Sequence, residues 1–107
     1  MSRKIFRYPL ELKEAQEILI TGCLKEDSDI IEISVRDQVI KVDTIRGIPS
    51  IWCIVDEGRP LRRLKLKLYG TGWEAPKAKP ENYLGSFMIM DSEIYHIFID
   101  GWLNENI

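Results

Sequence analysis

Histidine and cysteine are scarce in this sequence, and their scarcity excludes several kinds of site. His96 is the only histidine, while Cys23 and Cys53 lie far apart and form no C-x-x-C pair. Zinc sites of the usual Cys/His type need several such ligands, and the Ser-His-Asp and Cys-His catalytic systems would both have to use this one ring. We therefore predict two free, buried thiols, no metal or cofactor, and a protein that is not an enzyme.

Long apolar runs and an excess of charge of one sign are missing as well. No apolar run precedes Arg7, and no later uncharged stretch approaches the roughly eighteen residues of a membrane span. The sequence thus predicts a cytoplasmic protein without a membrane anchor. Its 15 basic and 17 acidic residues give a net charge of -2, which argues against binding to duplex nucleic acid.

The composition of the chain is that of one ordinary globular domain. It has 107 residues, of which 45% are hydrophobic and 30% are charged. This balance is far from the low hydrophobicity and high charge of disordered chains, and the length suits a single core. We predict one domain that spans residues 1–107.

Short strands are the main pattern that the sequence contains. Apolar and polar residues alternate over residues 31–35 and again over residues 64–68, as in strands with one buried face. In the second of these, leucines alternate with lysines, so one face is apolar and the other cationic. The run at residues 48–55 is apolar on both faces, which predicts a central strand covered on both sides.

Three further segments toward the N-terminus are consistent with strands. Residues 5–12 alternate, and Pro9 favours an edge position because proline cannot donate a ladder hydrogen bond. Residues 12–24 fit either a short helix or a strand, and we favour the strand. Residues 39–42 predict an additional short strand.

The C-terminal third predicts a hairpin and completes the fold class. Residues 83–90 and 93–100 are two strands joined by a tight connection at Asp91-Ser92. Six to eight short strands without a convincing long helix predict an all-β protein. We expect a small antiparallel β-sandwich or a partly closed barrel.

Four motifs, read in order, resemble a widespread family of small, uncharacterised bacteriophage and prophage proteins. They are PSIWCIVD at residues 49–56, LYGTG at 68–72, YLGSF at 83–87 and IYHIF at 94–98, and the resemblance covers about residues 3–100. Two departures stand out. Family members usually carry histidine where this chain has Trp73, and the chain has extra residues around positions 36–45.

The resemblance implies a role in the conflict between phages and bacteria. Small phage proteins of this size often counter host defence, and some act as sponges that sequester the cyclic nucleotide signals of the CBASS and Thoeris systems. It therefore implies an immune-evasion protein in the host bacterial cytoplasm that binds a cyclic nucleotide without hydrolysing it.

One segment has the chemistry that such a ligand needs. A cationic strand runs directly into a Tyr-Gly-Thr-Gly-Trp turn, so phosphate-binding cations, backbone N–H groups and flat rings are contiguous in the sequence. The predicted ligand-binding residues are Arg62, Arg63, Lys65 and Lys67 for phosphate, Gly70, Thr71 and Gly72 for hydrogen bonds, and Tyr69 and Trp73 for stacking. Adjacent strand residues face opposite ways, so Arg62 and Arg63 cannot both serve one site.

Other interpretations of the same residues stay open. Alternating lysine and arginine also keep an ordinary sheet edge soluble, and Gly-Thr-Gly can be a plain turn. A protein-interaction module that inhibits a host protein through the basic and aromatic face is the alternative function. His96 is more typical of a hydrogen-bonded core or rim position than of a catalytic base.

We also predict that the protein is a homo-oligomer. A site between subunits would let so short a chain enclose a ligand that it cannot surround alone. The tail from Asp91 onward carries acidic residues and no lysine or arginine. It could complement the basic strand of a neighbouring subunit or only keep the end of the chain soluble, and Trp102 could pack on the domain or in the interface.

Overall fold

The computed structural model describes residues 3–21, 38–56 and 61–104. Seven strands form in these ranges, with one short 3₁₀ turn at Pro80–Asn82. The strands are β1 (Arg3–Pro9), β2 (Ala15–Thr21), β3 (Val39–Ile45), β4 (Ile48–Asp56), β5 (Leu61–Gly70), β6 (Tyr83–Ile89) and β7 (Glu93–Asn104). Within these ranges, no helix is long and apolar enough to cross a membrane.

The strands form two antiparallel sheets that face each other. The first has the order β1-β4-β3 and the second the order β2-β5-β7-β6. The sheets meet most closely where β3 lies against β6. The predicted all-β class is thus confirmed, and of its two versions the structure is a sandwich of open sheets and not a closed barrel.

The core lies between the two sheets and follows from the period-2 alternation of the strands. From the first sheet, β4 contributes Ile51, Cys53 and Val55, all fully buried. From the second, β5 contributes Leu64, Leu66 and Leu68, while Ile20, Phe87 and Ile97 complete the layer from the neighbouring strands. The leucines of β5 therefore form the centre of the apolar face that the second sheet packs against the first.

Most strand predictions are confirmed. β1 is an edge strand that ends at Pro9, and the ambiguous segment 12–24 contains the strand β2 rather than a helix. β4 is the central strand of its sheet, but Trp52 and Ile54 on its second face are only half-buried, so the expected cover on both sides is incomplete. The predicted strand at residues 31–35 lies outside the described residues.

The predicted hairpin of β6 and β7 forms, and its connection, residues 90–92, is one residue longer than expected. Met90 and Asp91 occupy the central positions with φ of 55° and 63°, and the Ser92 amide donates to the Ile89 carbonyl at 3.3 Å. Positive φ at both central residues is typical of a type I′ turn, whose twist matches that of the strands. The predicted Asp91-Ser92 connection is therefore confirmed in place, with Met90 as a third residue of the loop.

The connection from β5 to β6 crosses the outer face of the second sheet. The two strands are separated by β7 in the sheet order, so residues 71–82 must pass over it. The Lys77 amide donates to the hydroxyl of Tyr69 at 3.1 Å and ties this connection to β5. This cover decides which side chains of β5 remain accessible.

Candidate functional site

The cationic strand β5 is an interior strand with two chemically different faces. Its leucines point into the core, and the half-buried Arg63, Lys65 and Lys67 point outward. β2 and β7 flank β5 on either side. Since β5 is paired on both sides at these three residues, the cations do not protect a free edge there, which removes the main argument for a purely solubilising role.

These three cations line a groove of about 790 Å³ on the outer face of the second sheet. β2 supplies the opposite wall, because Leu19 pairs with Arg63, Glu17 with Lys65 and Ala15 with Lys67 in the antiparallel register. Side chains on one face of such pairs lie close together. Among the described residues, the lining consists of Lys13, Ala15, Gln16, Glu17, Ile18, Leu19, Arg63, Lys65, Leu66, Lys67 and Asp100.

Two carboxylates moderate the positive charge of the groove. Arg63 Nη1 forms an ion pair with Glu17 Oε1 at 3.1 Å. Asp100 reaches the lining because the β5–β7 register shifts between Lys65 and Leu66, which leaves Asp100 as an extra residue in β7. In the part of the chain that the structure describes, neither Lys65 nor Lys67 pairs with a carboxylate, so these two carry the groove's available positive charge.

Tyr69 does not present its ring for stacking, contrary to the prediction. It lies on the cationic face of β5, but only 2% of it is exposed because the 71–82 connection covers it. Its ring contacts Phe98 at a centroid distance of 6.0 Å. Tyr69 is therefore a structural anchor for the connection.

The Gly-Thr-Gly turn uses the Thr71 N–H, one of the groups that were expected to bind phosphate. The Thr71 amide donates to the Ile94 carbonyl and the Trp73 amide to the Gly70 carbonyl, both at 3.0 Å. Gly72 has a φ of 92° and needs the freedom of glycine. Thr71 and its neighbours thus close a turn, in which the Thr71 amide is not available to a phosphate.

Trp73 lies on the opposite face of the sheet from the lysines. A Cβ built on Gly70 would lie 2.7 Å from the indole ring, and Gly70 shares the inward face of β5 with the leucines. The strand period therefore separates Trp73 from Lys65 and Lys67. The structure brings Arg63, Lys65 and Lys67 together but not with the two predicted stacking rings.

The strand register places two further predicted residues, Arg62 and Trp102. Arg62 lies in β5 between Ile20 and Asn104 of the neighbouring strands, and Trp102 pairs with Leu64. These are backbone placements. They confirm the strand positions and leave the predicted roles of both residues as predictions.

His96 is a hydrogen-bonded residue at the rim of the outer face. Its Nε2 lies 3.0 Å from Thr71 Oγ1, and its Nδ1 lies 3.5 Å from the Tyr83 hydroxyl. The Thr71 hydroxyl also donates to the Ile94 carbonyl at 3.0 Å. The ring thus links β7 to the turn after β5 and to β6, in agreement with the predicted rim position.

Sequence reasoning missed the β2 wall of the groove. Glu17 and Leu19 were not assigned to any site, although both alternate with the buried Gln16 and Ile20 and the half-buried Ile18. That alternation was visible in the sequence, but the segment fitted a helix almost as well. Only the strand interpretation places Glu17 beside the cations.

Comparisons with known proteins define the family of the chain and leave its activity undefined. No match is found among curated proteins or among solved structures. One family model, described as a domain of unknown function, matches residues 1–104. The chain therefore belongs to that family, DUF7352.

Proposed function

We propose that this protein binds a small polyanion in the groove between β2 and β5 and holds it without chemical turnover. The proposal rests on one observation. Three outward cations of the interior strand β5 line a groove of about 790 Å³. Cyclic nucleotide signals are the ligand class that the resemblance to phage proteins favours. In that setting the protein is an anti-defence sponge.

The geometry of the lysines suits a ligand with more than one phosphate. Lys65 and Lys67 point the same way from β5, and two residues along a strand span roughly 6.6 Å. Arg63 continues the row at the same interval. Ammonium groups at this spacing can each meet a different phosphate of one compact ligand, whereas a single phosphate would engage only part of the row.

The groove offers apolar contact for a base but no stacking ring. Leu19 is exposed and lies beside Ile18 in the lining, while the described lining contains no aromatic residue. Affinity in this site therefore depends mainly on charge. Such binding weakens as the salt concentration rises, because salt screens exposed charges.

A second copy of the chain completes the site in this proposal. All lining residues belong to the second sheet or to the segment just before β2, so they form a floor and walls on one side of a ligand. Two such grooves facing each other would bury it. We propose a homo-oligomer on this ground, which sedimentation analysis with and without ligand tests directly.

The test is a binding panel with charge-reversed variants. Cyclic di- and trinucleotides and cyclic ADP-ribose isomers are screened by thermal shift, and each ligand that stabilises the protein is then measured by calorimetry. Lys65→Glu combined with Lys67→Glu should abolish binding. The matched control, Lys41→Glu with Arg46→Glu, makes the same charge change on the first sheet and should bind normally.

Three results would count against the proposal. The first is the absence of stabilisation by every member of the panel. The second is unchanged affinity in the Lys65 and Lys67 variant. The third is recovery of a cleaved ligand from the heated complex, which would indicate an enzyme rather than a sponge.

The alternative function, a module that inhibits a host protein, was predicted to use the basic and aromatic face, but the exposed apolar side chains favour a different surface for it. Met88, Met90 and Ile94 of the β6–β7 hairpin are 48%, 83% and 40% exposed. Exposed apolar side chains grouped on one hairpin are typical of protein contacts. If substitution of these residues abolished anti-defence activity while the Lys65 and Lys67 variant retained it, the alternative would replace the sponge.

A further inference from the structure

A second, smaller pocket lies at the end of the second sheet, away from the cationic groove. It has a volume of about 200 Å³ and opens between the turn after β5 and the start of β7. Its lining consists of Gly70, Thr71, Trp73, Ser92, Glu93, Ile94 and Tyr95. None of these residues carries a positive charge, in contrast to the groove on the outer face.

Two aromatic rings at right angles form the corner of this pocket. Trp73 and Tyr95 have centroids 5.8 Å apart and an interplanar angle of 84°. Tyr95 is held from behind by Phe87, which stacks on it at 5.6 Å and 20°. Trp73 lies against Gly70, where no Cβ obstructs it, and it is still 50% exposed. Both rings are thus fixed in position, and half of Trp73 remains accessible to a ligand.

A carboxylate stands beside the two rings. The Tyr95 hydroxyl donates to Glu93 Oε1 at 3.4 Å. Desolvation, together with the charge of Glu93 and this hydrogen bond, raises the pKa of the Tyr95 phenol above its ordinary value. The phenol therefore stays neutral at physiological pH, and Glu93 supplies the negative charge of the pocket.

We propose that this pocket binds the alkylammonium or guanidinium group of a cationic ligand. Aromatic faces attract cations through their quadrupole, and two perpendicular walls can contact two sides of the same group. Glu93 adds a direct charge interaction. A cavity of 200 Å³ accepts a group of that size, such as the end of a lysine or arginine side chain or a quaternary ammonium.

The surroundings of the pocket favour a cation presented by a larger partner. Ile94 lines the pocket and also pairs across the hairpin with Met88, and both are partly exposed. Met90 projects from the adjacent turn. Ile94 and Met88 alternate with Tyr95 and Phe87 and therefore lie on the other face of the sheet. A peptide that passes around the sheet end would place a basic side chain in the pocket and apolar ones against this hairpin surface.

Choline and 3,3-dimethylbutan-1-ol provide a matched test of the charge requirement. They have the same shape, but only choline carries a positive charge. Titration is followed through the indole N–H resonance of Trp73, and choline should bind about tenfold more tightly than the neutral alcohol. Equal affinity, or no shift of the Trp73 resonance with any cation, overturns the proposal.

Two further probes distinguish the sources of the cation. N-acetyl-lysine amide and N-acetyl-arginine amide are titrated in the same way as choline. Tighter binding of an amino-acid amide indicates a peptide partner, and tighter binding of choline indicates a free quaternary ammonium. Either preference supports the shared chemistry of the pocket.

Two substitutions test the pocket residues themselves. Glu93→Gln keeps the size and the hydrogen bond to Tyr95 but removes the charge, and should weaken choline binding several-fold. Trp73→Leu should abolish it. Lys65→Glu with Lys67→Glu, on the opposite face of the sheet, should leave choline binding unchanged; a loss there, or full binding by Glu93→Gln, contradicts the assignment.

Discussion

Cys53 shows how completely the sandwich excludes water at its centre. The residue lies on the inward face of β4 with 0% exposure, and burial raises the pKa of its thiol to about 12. Low-pKa, accessible thiols are the reactive ones, so Cys53 is chemically inert in the folded protein. The prediction of a free, buried thiol is confirmed for Cys53, while Cys23 lies outside the described residues.

The raised pKa of Cys53 predicts a loss of stability in alkaline solution. The ordinary thiol pKa is 9.0 and the folded value is about 12, so between these pH values the folded state retains a proton that the unfolded state releases. The contribution of Cys53 is complete below pH 9.0 and is lost as the pH rises toward 12. Its slope is about 1.4 kcal/mol per pH unit.

Urea unfolding at a series of pH values above 9.0 measures this slope. Cys53→Ala serves as the reference, because it lacks the thiol and keeps every other titrating group. The wild-type free energy of unfolding should fall more steeply than that of the variant. Parallel curves would show that Cys53 is not the group responsible.

At the scale of single elements, the β6–β7 hairpin contains an unfavourable turn. A type I′ turn favours Asn-Gly at its centre, whereas this chain has Met90 and Asp91 with positive φ. A left-handed conformation costs a non-glycine residue about 1 kcal/mol. Met90 is also 83% exposed, so its side chain makes little contact to offset that cost.

Replacing Met90→Asn and Asp91→Gly should therefore stabilise the protein by about 1 kcal/mol, because the new residues accept the conformation of the turn. Thermal unfolding of the double variant measures the gain. The hydrogen bond from Ser92 to Ile89 is a backbone contact and should persist. A lower midpoint would mean that the two residues do not occupy the central turn positions.

The strand β5 illustrates what the sequence could and could not predict. Its alternation of leucine with lysine was sufficient to assign a buried face and a cationic face, because the period of a strand is a local property. Its position between β2 and β7 was not predictable in this way, since strand order depends on contacts between distant segments. The placement of Trp73 beyond the strand end depends on the path of the turn, which the strand period does not determine.

Tyr69 failed as a predicted ligand contact for a related reason. The pleat places it correctly on the cationic face, but its exposure depends on where the 71–82 connection runs. A long connection that crosses a sheet leaves no periodic signal in the sequence. The residues of the Tyr-Gly-Thr-Gly-Trp segment are neighbours in the sequence, but the fold does not bring all of them into one site.

At the scale of the whole molecule, the two sheets close on each other at Gly85. A Cβ built on Gly85 would lie 2.9 Å from Cγ2 and 3.0 Å from Cβ of Val42 in the other sheet, and its φ is 155°. Gly85 lies in β6 and Val42 in β3, the two strands that meet at this edge. Only glycine allows the sheets to approach this closely.

Gly85→Ala should destabilise the sandwich by about 2 to 3 kcal/mol, because the added methyl group forces β3 and β6 apart. Chemical denaturation gives the value. In a chain that also carries Val42→Ala, the same substitution should cost clearly less, since the closest contact, that with Cγ2, is gone. Additive effects would mean that the two residues are not in contact.

The fold places opposite charges in separate regions, and Glu17 controls the balance in one of them. Among the described residues, the groove on the outer face combines Lys13, Arg63, Lys65 and Lys67 with Glu17 and Asp100, while the charged residue of the pocket at the sheet end is Glu93. Glu17 stands directly opposite Lys65 and is paired with Arg63. It therefore weakens the binding of an anionic ligand in two ways. Its own negative charge repels the ligand, and its ion pair partly neutralises Arg63.

Glu17→Gln should raise the affinity for a polyanion by roughly three- to tenfold, or about 0.7 to 1.4 kcal/mol, because it removes one negative charge and releases Arg63 from this ion pair. Stability should change by less than about 1 kcal/mol, since an ion pair that is 39% exposed on both sides contributes little. Calorimetry and urea unfolding measure the two quantities separately. Weaker binding with unchanged stability would mean that Glu17 contacts the ligand itself, for example by accepting a hydrogen bond from a base, and would assign this residue to recognition instead of charge balance.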